Sequence, residues 1–386
     1  MVRTHQDGIG AGFGHRFPVL DAWRGIAAVG VVFHHIPAQA GLSATAWDDH
    51  FGRLVDLFFV ISGFVIASAY GRKLGDGYSF RRFFWLRWGR VWPLHAAMLG
   101  LFLVAMIVLG LVRPDLRTDG ILAGRQRLVD LPAALLLLNG FVPSVGMPWN
   151  LPSWSVSIEM ALYGLAALAW RFCGRYAGWT GVGAATGALV ALEMVPADLG
   201  SAYDLMRGIA GFGLGMTLHW LIGDRVTNVR LPWAMATLAE LGALALFAQV
   251  LWGGGDIVAF DLAAVALVGI FAVGSGGVSQ ILLARPFQQL GQLSYALYMV
   301  HVFVIGRMFD LLGMAQDSLG LTIADTHLGG ADALVGPDWQ ANAANVVMIG
   351  ICLLAAWPAA VLVERPARAW SRHRAARIGP AVTPAH

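Results

Sequence analysis

Residues 17–37 read FPVLDAWRGIAAVGVVFHHIP, a long apolar stretch that contains the strongly polar side chains of Asp21, Arg24, His34 and His35. A charged side chain at the centre of a bilayer costs at least ~2.5–3.5 kcal/mol, so such residues usually mark a bundle interior, a polar cavity or a reaction path. The stretch therefore predicts the first transmembrane helix of a bundle that encloses a polar site.

The composition of the whole chain agrees with a membrane protein. Its 386 residues are 58% hydrophobic and 13% charged, whereas a soluble globular domain has roughly 25% charged residues. The formal net charge is only +3, so we expect no nucleic-acid partner and read the arginines as determinants of topology. Cys173 and Cys352 lie far apart and have no metal-ligand spacing, so we expect no metal site.

Ten apolar windows of roughly 20 residues, the length that crosses a bilayer, predict an all-α polytopic membrane helix bundle. The windows are 18–36, 54–70, 92–112, 155–172, 177–195, 205–222, 232–251, 257–275, 290–310 and 344–363. A further run, Leu131–Val142, is short and is interrupted by polar and helix-breaking residues, so we do not count it as a span. No internal repeat divides the chain, and we expect one membrane domain at 16–370 between short tails at 1–15 and 371–386.

The charges of the loops give these ten spans an orientation. If both termini are cytoplasmic, the predicted inner loops hold most of the basic residues and the predicted outer loops hold mainly Asp, as the positive-inside rule requires. The inner set is Arg72, Lys73, Arg81, Arg82, Arg87, Arg90, Arg171, Arg175, Arg225, Arg230, Arg285 and the arginines of the C-terminal tail; the outer set includes Asp48, Asp49, Asp198, Asp204 and Asp256. The loop 113–154 departs from the pattern, with four Arg and three Asp.

Helix geometry places the intramembrane polar residues relative to one another. Arg24 and His35 are eleven residues apart, which puts them on one helical face and about 16 Å apart along the axis. Asp56 opens the second span, and Glu159 lies about one turn below Trp154 in the fourth. The topology therefore predicts an outer polar layer of His35, Asp56 and Glu159.

A basic and aromatic segment lies near the predicted inner face. It reads RRFFWLRWGRVWPLH at residues 81–95, with Arg87 and Arg90 one helical turn apart. Guanidinium groups suit phosphate, and neighbouring aromatic rings suit stacking on a purine. The residues alone fit equally well a positive-inside anchor with an aromatic belt.

Read in order, six segments resemble the signatures of the membrane acyltransferase-3 family. They are FPVLDAWRGIAAVGVVFHH, VDLFFVISGFVIAS, RWGRVWPLH, PSWSVSIEMALY, LGQLSYALYMVH and VERPARAW, and together they run from about Phe17 to Trp370. The resemblance implies a multi-pass O-acyltransferase of a bacterial inner (plasma) membrane. Such an enzyme moves an acyl group, by default acetyl, from acyl-CoA to a hydroxyl of a saccharide or glycolipid. Membrane lipid is then a further partner, and no permanently bound cofactor is expected.

The resemblance also implies roles for individual residues. His35 corresponds to the family's first-helix histidine and becomes the general base, with Glu159 or Asp56 orienting its imidazole. Arg87 and Arg90 correspond to its basic motif, in which the family often has adjacent arginines and this chain has Trp88. The family's tryptophan, serine and glutamate motif corresponds to Trp154, Ser155, Ser157 and Glu159, with Met160 in place of the usual acidic or amide residue. The full expected set is His35, Glu159 and Asp56 for catalysis and Arg24, Arg87, Arg90, Trp154, Ser157, Tyr295 and His301 for binding.

Several alternatives stay open at the level of the sequence. A membrane transporter or flippase for a glycan or small polar substrate would also carry intramembrane charges. Such a protein typically shows paired halves with broken helices and internal symmetry, which the sequence does not show. His35 and His301 have a structural alternative, a hydrogen bond between neighbouring helices. A covalent acyl intermediate on Ser62 or Ser155 ranks below direct transfer because neither serine has an adjacent base in the sequence.

Overall fold

A computed structural model describes residues 17–42, 50–112, 127–141, 149–194, 196, 199–226, 228–254, 256–319, 324–325 and 333–378. The predicted tail 1–15 lies outside the described residues, as do Asp48, Asp49 and Asp198 of the predicted outer loops. A helix occupies each of the ten predicted windows. The helices are α1 (Pro18–His34), α2 (Leu54–Ile66), α3 (Arg72–Gly75), α4 (Phe80–Val112), α5 (Leu131–Leu135), α6 (Ser153–Cys173), α7 (Ala177–Met194), α8 (Ser201–Val226), α9 (Trp233–Trp252), α10 (Ile257–Val273), α11 (Gly277–Leu282), α12 (Arg285–Leu319), α13 (Asp338–Ala359) and α14 (Arg365–Arg377).

The all-α class is confirmed, with one small addition. Two strands of two residues each, β1 (Ala324–Asp325) and β2 (Ala333–Leu334), pair antiparallel in the region between α12 and α13. Leu334 also donates to the Pro37 carbonyl at 2.9 Å and accepts from the Gln39 amide at 2.8 Å. This short pairing joins the segment after α1 to the segment before α13.

In the described part of the chain, seven helical stretches are long and apolar enough to cross a membrane. They are Leu54–Gly75, Phe80–Val112, Ser153–Met194, Ser201–Gly223, Trp233–Trp252, Arg285–Gln316 and Asp338–Arg377. The stretch Ser153–Met194 contains two of the predicted spans, and Gly174 ends the first of them with φ at +52°. The helices α1 and α10 have 17 residues each and are just too short to be counted among these membrane-spanning stretches. The count of ten crossings and the cytoplasmic placement of both termini stay predictions.

The apolar run Leu131–Val142, which was not counted as a span, does not form a spanning helix in its described residues. Its helix α5 has five residues, about 7.5 Å of rise. The chain after it turns back at Leu137, where φ is +56°. Two side chains of α4 hold it: Trp92 Nε1 donates to the Leu135 carbonyl at 2.8 Å, and His95 Nε2 donates to the Ala134 carbonyl at 2.7 Å.

Close crossings between small residues fix the central helices. A Cβ on Gly25 of α1 would lie 2.6 Å from the backbone nitrogen of Gly291 in α12. Gly63 of α2 and Gly215 of α8 meet the backbone of the opposite helix in the same way. Glycines let helix backbones approach closely inside a membrane. The residues of α1, α2, α8 and α12 that bear polar side chains are thereby held at fixed relative heights.

The last helix, α14, extends to Arg377 and packs on α4. Ser371 is buried and donates from Oγ to the Trp85 carbonyl at 3.1 Å, while its side chain fills the space above Gly89. The expected boundary at residue 370 therefore falls inside a packed helix, and the start of the expected tail 371–386 is ordered. Residues beyond Ile378 lie outside the described part of the chain.

Candidate active site

A cavity of about 580 Å³ lies at one end of the bundle, and His34 and His35 line it. Both histidines lie at the C-terminal end of α1, whereas Arg24 lies nearer its N-terminal end. The cavity is therefore at the outer end of the bundle in the predicted topology. Trp154, Arg207 and Tyr298 line other parts of its wall, together with the carboxylates of Glu193, Asp204 and Asp256. Its size and mixed polar and aromatic lining are typical of a small-molecule site.

The imidazole of His35 has a defined tautomer. Nδ1 donates to the Val31 carbonyl at 2.8 Å, so in the neutral ring Nε2 is left unprotonated and can accept a proton. The rings of His34 and His301 each approach the ring of His35 edge-on, with centroids 4.9 Å away. The first-helix histidine is thus positioned by its own backbone and by two neighbouring imidazoles.

His301, expected near the site, is fully buried directly against His35. Its Nδ1 donates to the Tyr298 carbonyl at 2.7 Å. Its Nε2 is buried and has no hydrogen-bond partner among the described residues. The two imidazoles therefore have the same arrangement, in which Nδ1 bonds to backbone and Nε2 remains an acceptor.

Asp56 lies in a different cluster from the one expected. It is fully buried, and both its oxygens accept from Arg207, at 3.1 Å each. Arg207 also donates to Asp204 at 3.1 Å and lies over the ring of Trp154, 5.5 Å from its centroid. Asp56 therefore makes no hydrogen bond to His35 in this structure and instead fixes Arg207 and Trp154 in the cavity wall.

Glu159 also departs from the expected outer layer. It lines a second, narrow chamber of about 60 Å³, deeper in the bundle, together with Arg24. Glu159 Oε1 accepts from Tyr163 at 2.6 Å and from Ser62 by a short hydrogen bond, and it lies 3.9 Å from Arg24. Arg24 in turn donates to Ser62 at 2.9 Å. Neither Glu159 nor Asp56 thus makes the expected orienting contact with the imidazole of His35. The Val31 carbonyl accepts the hydrogen bond from Nδ1 instead.

The two arginines of the basic segment take different positions. Arg90 lines the deeper chamber, as does Tyr295, whose hydroxyl donates to the Val91 carbonyl at 2.6 Å. Arg87 lies over the ring of Tyr70, 5.1 Å from its centroid, and donates to the Tyr70 hydroxyl at 3.2 Å. Arg87 Nε is buried and has no hydrogen-bond partner among the described residues.

The aromatic residues around these arginines stack mainly on one another. Phe80, Phe84, Trp88 and Trp92 form a ladder along α4, with neighbouring centroids 5.8–6.1 Å apart and nearly parallel rings. In the loop before α4, burial raises the pKa of Tyr78, and the nearby Arg82 guanidinium offsets part of this rise. Stacking of a purine on this segment stays a prediction.

The two serines of the predicted fourth span, Ser155 and Ser157, make different contacts. Ser157 Oγ donates to the Leu137 carbonyl by a short hydrogen bond and accepts from the Gly140 amide at 3.3 Å, so it holds the turn after α5. Ser155 Oγ instead lies 2.7 Å from the Tyr298 hydroxyl, in the wall of the deeper chamber. The role expected for Ser157 in binding stays a prediction, and its contacts here are to backbone.

Arg207, Tyr163 and Tyr298 complete these two cavities and are not among the residues predicted from the sequence. A signal existed for Arg207, since it is a lone charge inside the apolar window 205–222. Tyrosines carry no such signal because they are common in membrane helices for packing alone. In the described part of the chain, no group of three or more His, Cys, Asp or Glu side chains is arranged to hold a metal ion.

Comparisons with known proteins agree with this architecture. The family model described as an acyltransferase domain matches residues 17–361. Acyltransferase MdmB of Streptomyces mycarofaciens is 27% identical over 329 residues, which cover 77% of this chain and 81% of that protein. Protein 2 in the picA locus of Rhizobium radiobacter is 37% identical over 155 residues, 35% of this chain and 75% of that protein. No solved structure gives a significant match. The chain is therefore a membrane acyltransferase and belongs to the acyltransferase-3 family.

Proposed function

We propose that the protein is an O-acyltransferase of a bacterial inner membrane that moves an acyl group, by default acetyl, from acyl-CoA to a hydroxyl of a saccharide or glycolipid. The observation that carries the proposal is the arrangement of α1, which has Arg24 in the deeper chamber and the imidazole of His35 in the wide outer cavity. One helix thereby links a cationic pocket to an available base, about 16 Å apart along its axis.

The outer cavity suits a hydroxyl-bearing acceptor. Trp154 supplies an apolar ring face, and the carboxylates of Glu193, Asp204 and Asp256 supply hydrogen-bond acceptors for hydroxyl groups. Arg207 lies between them with its charge compensated by Asp56 and Asp204. Such a mixture of ring face and fixed polar groups favours a saccharide over an apolar ligand.

The deeper chamber suits the thioester end of the donor. It is narrow, and Arg24 and Arg90 lie in its wall with Glu159. Arg87 lies one turn from Arg90 on α4, toward the predicted cytoplasmic side. We infer that Arg87 and Arg90 bind the phosphates of CoA, with a contribution from Arg24, because guanidinium groups match phosphate geometry. The pantetheine arm then extends from these arginines through the chamber toward His35 and the outer cavity.

The reaction itself is direct transfer. The acceptor oxygen attacks the thioester carbonyl, a carbon–oxygen bond forms and the carbon–sulfur bond breaks. His35 Nε2 takes the hydroxyl proton as the oxygen attacks. It then gives that proton to the CoA thiolate, which leaves as the thiol. The Val31 carbonyl keeps Nδ1 protonated throughout and stabilises the imidazolium.

A pair of histidine variants tests this function. Purified protein in nanodiscs is supplied with acetyl-CoA and a saccharide extract of the host envelope, and acetylated saccharide is measured by mass spectrometry. His35→Ala should lower turnover by about 10²–10⁴-fold, the usual contribution of a general base. The matched control is His34→Ala, one residue away in the same cavity, which should have a much smaller effect. Equal turnover in wild type and His35→Ala would remove His35 as the base.

The donor side has its own readout within the same assay. Arg87→Ala should raise the KM for acetyl-CoA with a smaller change in kcat, because phosphate contacts contribute mainly to binding of the unreacting part of the donor. Arg230→Ala, a basic residue of a distant loop, serves as the control. An unchanged KM for the donor in Arg87→Ala would exclude the phosphate role.

A further inference from the structure

The outer cavity and the deeper chamber have two wall residues in common, Val55 and Tyr298. His35 lines only the outer cavity, whereas Arg24 and Glu159 line only the chamber. The proposed base and the proposed thioester site therefore lie on opposite sides of a partition. Tyr298 has the larger side chain of the two shared residues and a polar end that can change partners.

Tyr298 is fixed from three directions. Its hydroxyl lies 2.7 Å from Ser155 Oγ on α6, within hydrogen-bond distance. Its ring packs against Phe58 of α2, with centroids 5.7 Å apart, and against His301, with centroids 5.8 Å apart. The residue is 7% exposed, so its ring fills the space between the two cavities.

Two features of this arrangement show why the partition can open. The hydroxyl of Tyr298 is held by one neutral hydrogen bond to a serine, a contact worth only about 1 kcal/mol net. The outer cavity is large and polar, so an incoming hydroxyl group can replace Ser155 as the partner of the phenol. The backbone of α12 is held at the crossing of Gly291 with α1, so the movement required is confined to the side chain of Tyr298.

We propose that Tyr298 is a positioning residue that keeps water in the outer cavity away from the thioester until an acceptor is bound. The inference rests on the proposed function. Without the partition, water would take the place of the acceptor hydroxyl. Its oxygen would attack the thioester carbonyl, the carbon–sulfur bond would break, and the water proton would pass through His35 to the thiolate. The products would be a free carboxylic acid and CoA thiol, with no acyl transfer.

The test measures release of CoA from acetyl-CoA by chromatography, with and without the envelope saccharide extract, on full-length protein in nanodiscs. Wild type should release CoA mainly when the extract is present. Tyr298→Ala should raise the acceptor-independent release about tenfold and lower the fraction of acetyl groups that reach saccharide. Phe247→Ala removes a buried ring that packs on Trp23 and Phe260, outside both cavities. It should leave that fraction unchanged.

Two milder variants keep the proposal open to refutation if Tyr298→Ala does not fold. Tyr298→Phe removes only the hydrogen bond between the two residues, whereas Ser155→Ala also removes the bond from Ser155 Oγ to the Pro152 carbonyl. Both variants should give a smaller rise in hydrolysis than Tyr298→Ala. Wild-type hydrolysis in every folded variant would overturn the partition, as would an equal rise in Phe247→Ala. Absence of any transfer by wild type would instead refute the proposed function itself.

Discussion

The charge of Arg207 is compensated by two carboxylates, those of Asp56 and Asp204. Asp56, which has no exposed surface, accepts two hydrogen bonds from Arg207, and Asp204 accepts a third. Breaking a buried ion pair by removing one partner typically costs about 3–5 kcal/mol because a charge is left uncompensated. Asp56→Asn should lie near the lower limit, about 3 kcal/mol, because Asp204 still contacts Arg207. Thermal unfolding in detergent should show a clearly lowered midpoint.

The control for this prediction is a pair on the surface. Arg127 and Asp130 lie 2.9 Å apart, with side chains 39% and 25% exposed. Solvent screens such a pair, so Asp130→Asn should leave the unfolding midpoint almost unchanged. Equal shifts in the two variants would contradict the buried character of the contact between Asp56 and Arg207.

At this scale, the sequence predicts which polar residues lie inside the bundle better than it predicts their partners. Arg24, His35, Asp56 and Glu159 were identified because a polar side chain inside an apolar window has a high energetic cost. Their contacts could not be identified, since Asp56 is 151 residues from Arg207 in the chain. Pairing depends on which helices are neighbours in space, and a single sequence carries little information on that order.

At the scale of elements, the contact between α1 and α12 can be tested directly, because these two helices cross at one pair of glycines. A Cβ on Gly25 would lie 2.6 Å from the backbone of Gly291 and 2.7 Å from that of Leu290. Backbone atoms cannot move aside as a flexible side chain can, so Gly25→Ala should push the helices apart at a cost of about 1–3 kcal/mol. It should also lower turnover, because Arg24 and Tyr298 lie on these two helices on either side of the crossing.

Gly306 is the matched control on α12, since among the described residues nothing outside its own stretch of helix lies within 4 Å of a Cβ built there. Alanine has a higher helix propensity than glycine, by roughly 1 kcal/mol. Gly306→Ala should therefore be neutral or slightly stabilising in thermal unfolding and should retain turnover. A similar loss of stability in both variants would mean that the substitution acts through the helix backbone and not through the crossing.

At the scale of elements, long apolar windows predicted helices correctly throughout, because each must satisfy its backbone hydrogen bonds internally. Helix α14 and the strands β1 and β2 were missed for physical reasons. Helix α14 is rich in arginine, so hydropathy does not identify it, although Ser371 and Ala375 are buried against α4. The strands β1 and β2 have two residues each, too few for any alternation of side chains to be visible.

At the scale of the whole molecule, the prediction to test is the side of the membrane on which each loop lies. Ten crossings with both termini inside put the end of α6, with Arg171 and Arg175, in the cytoplasm. The same topology puts the loop between α7 and α8 outside. The proposed reaction depends on this arrangement, because the CoA phosphates have to meet Arg87 on the cytoplasmic side while the acceptor enters beside His35.

Native and introduced cysteines can decide this orientation. Cys173 is exposed at the end of α6, Cys352 is buried, and Leu199 is 55% exposed between α7 and α8. In intact spheroplasts, a membrane-impermeant maleimide should modify Leu199→Cys but modify Cys173 only after the membrane is opened. Cys352 should react only after unfolding, which controls for loss of structure. Modification of Cys173 from outside would invert α6 and α7, place Arg171 and Arg175 outside, and separate the donor arginines from the compartment that supplies CoA.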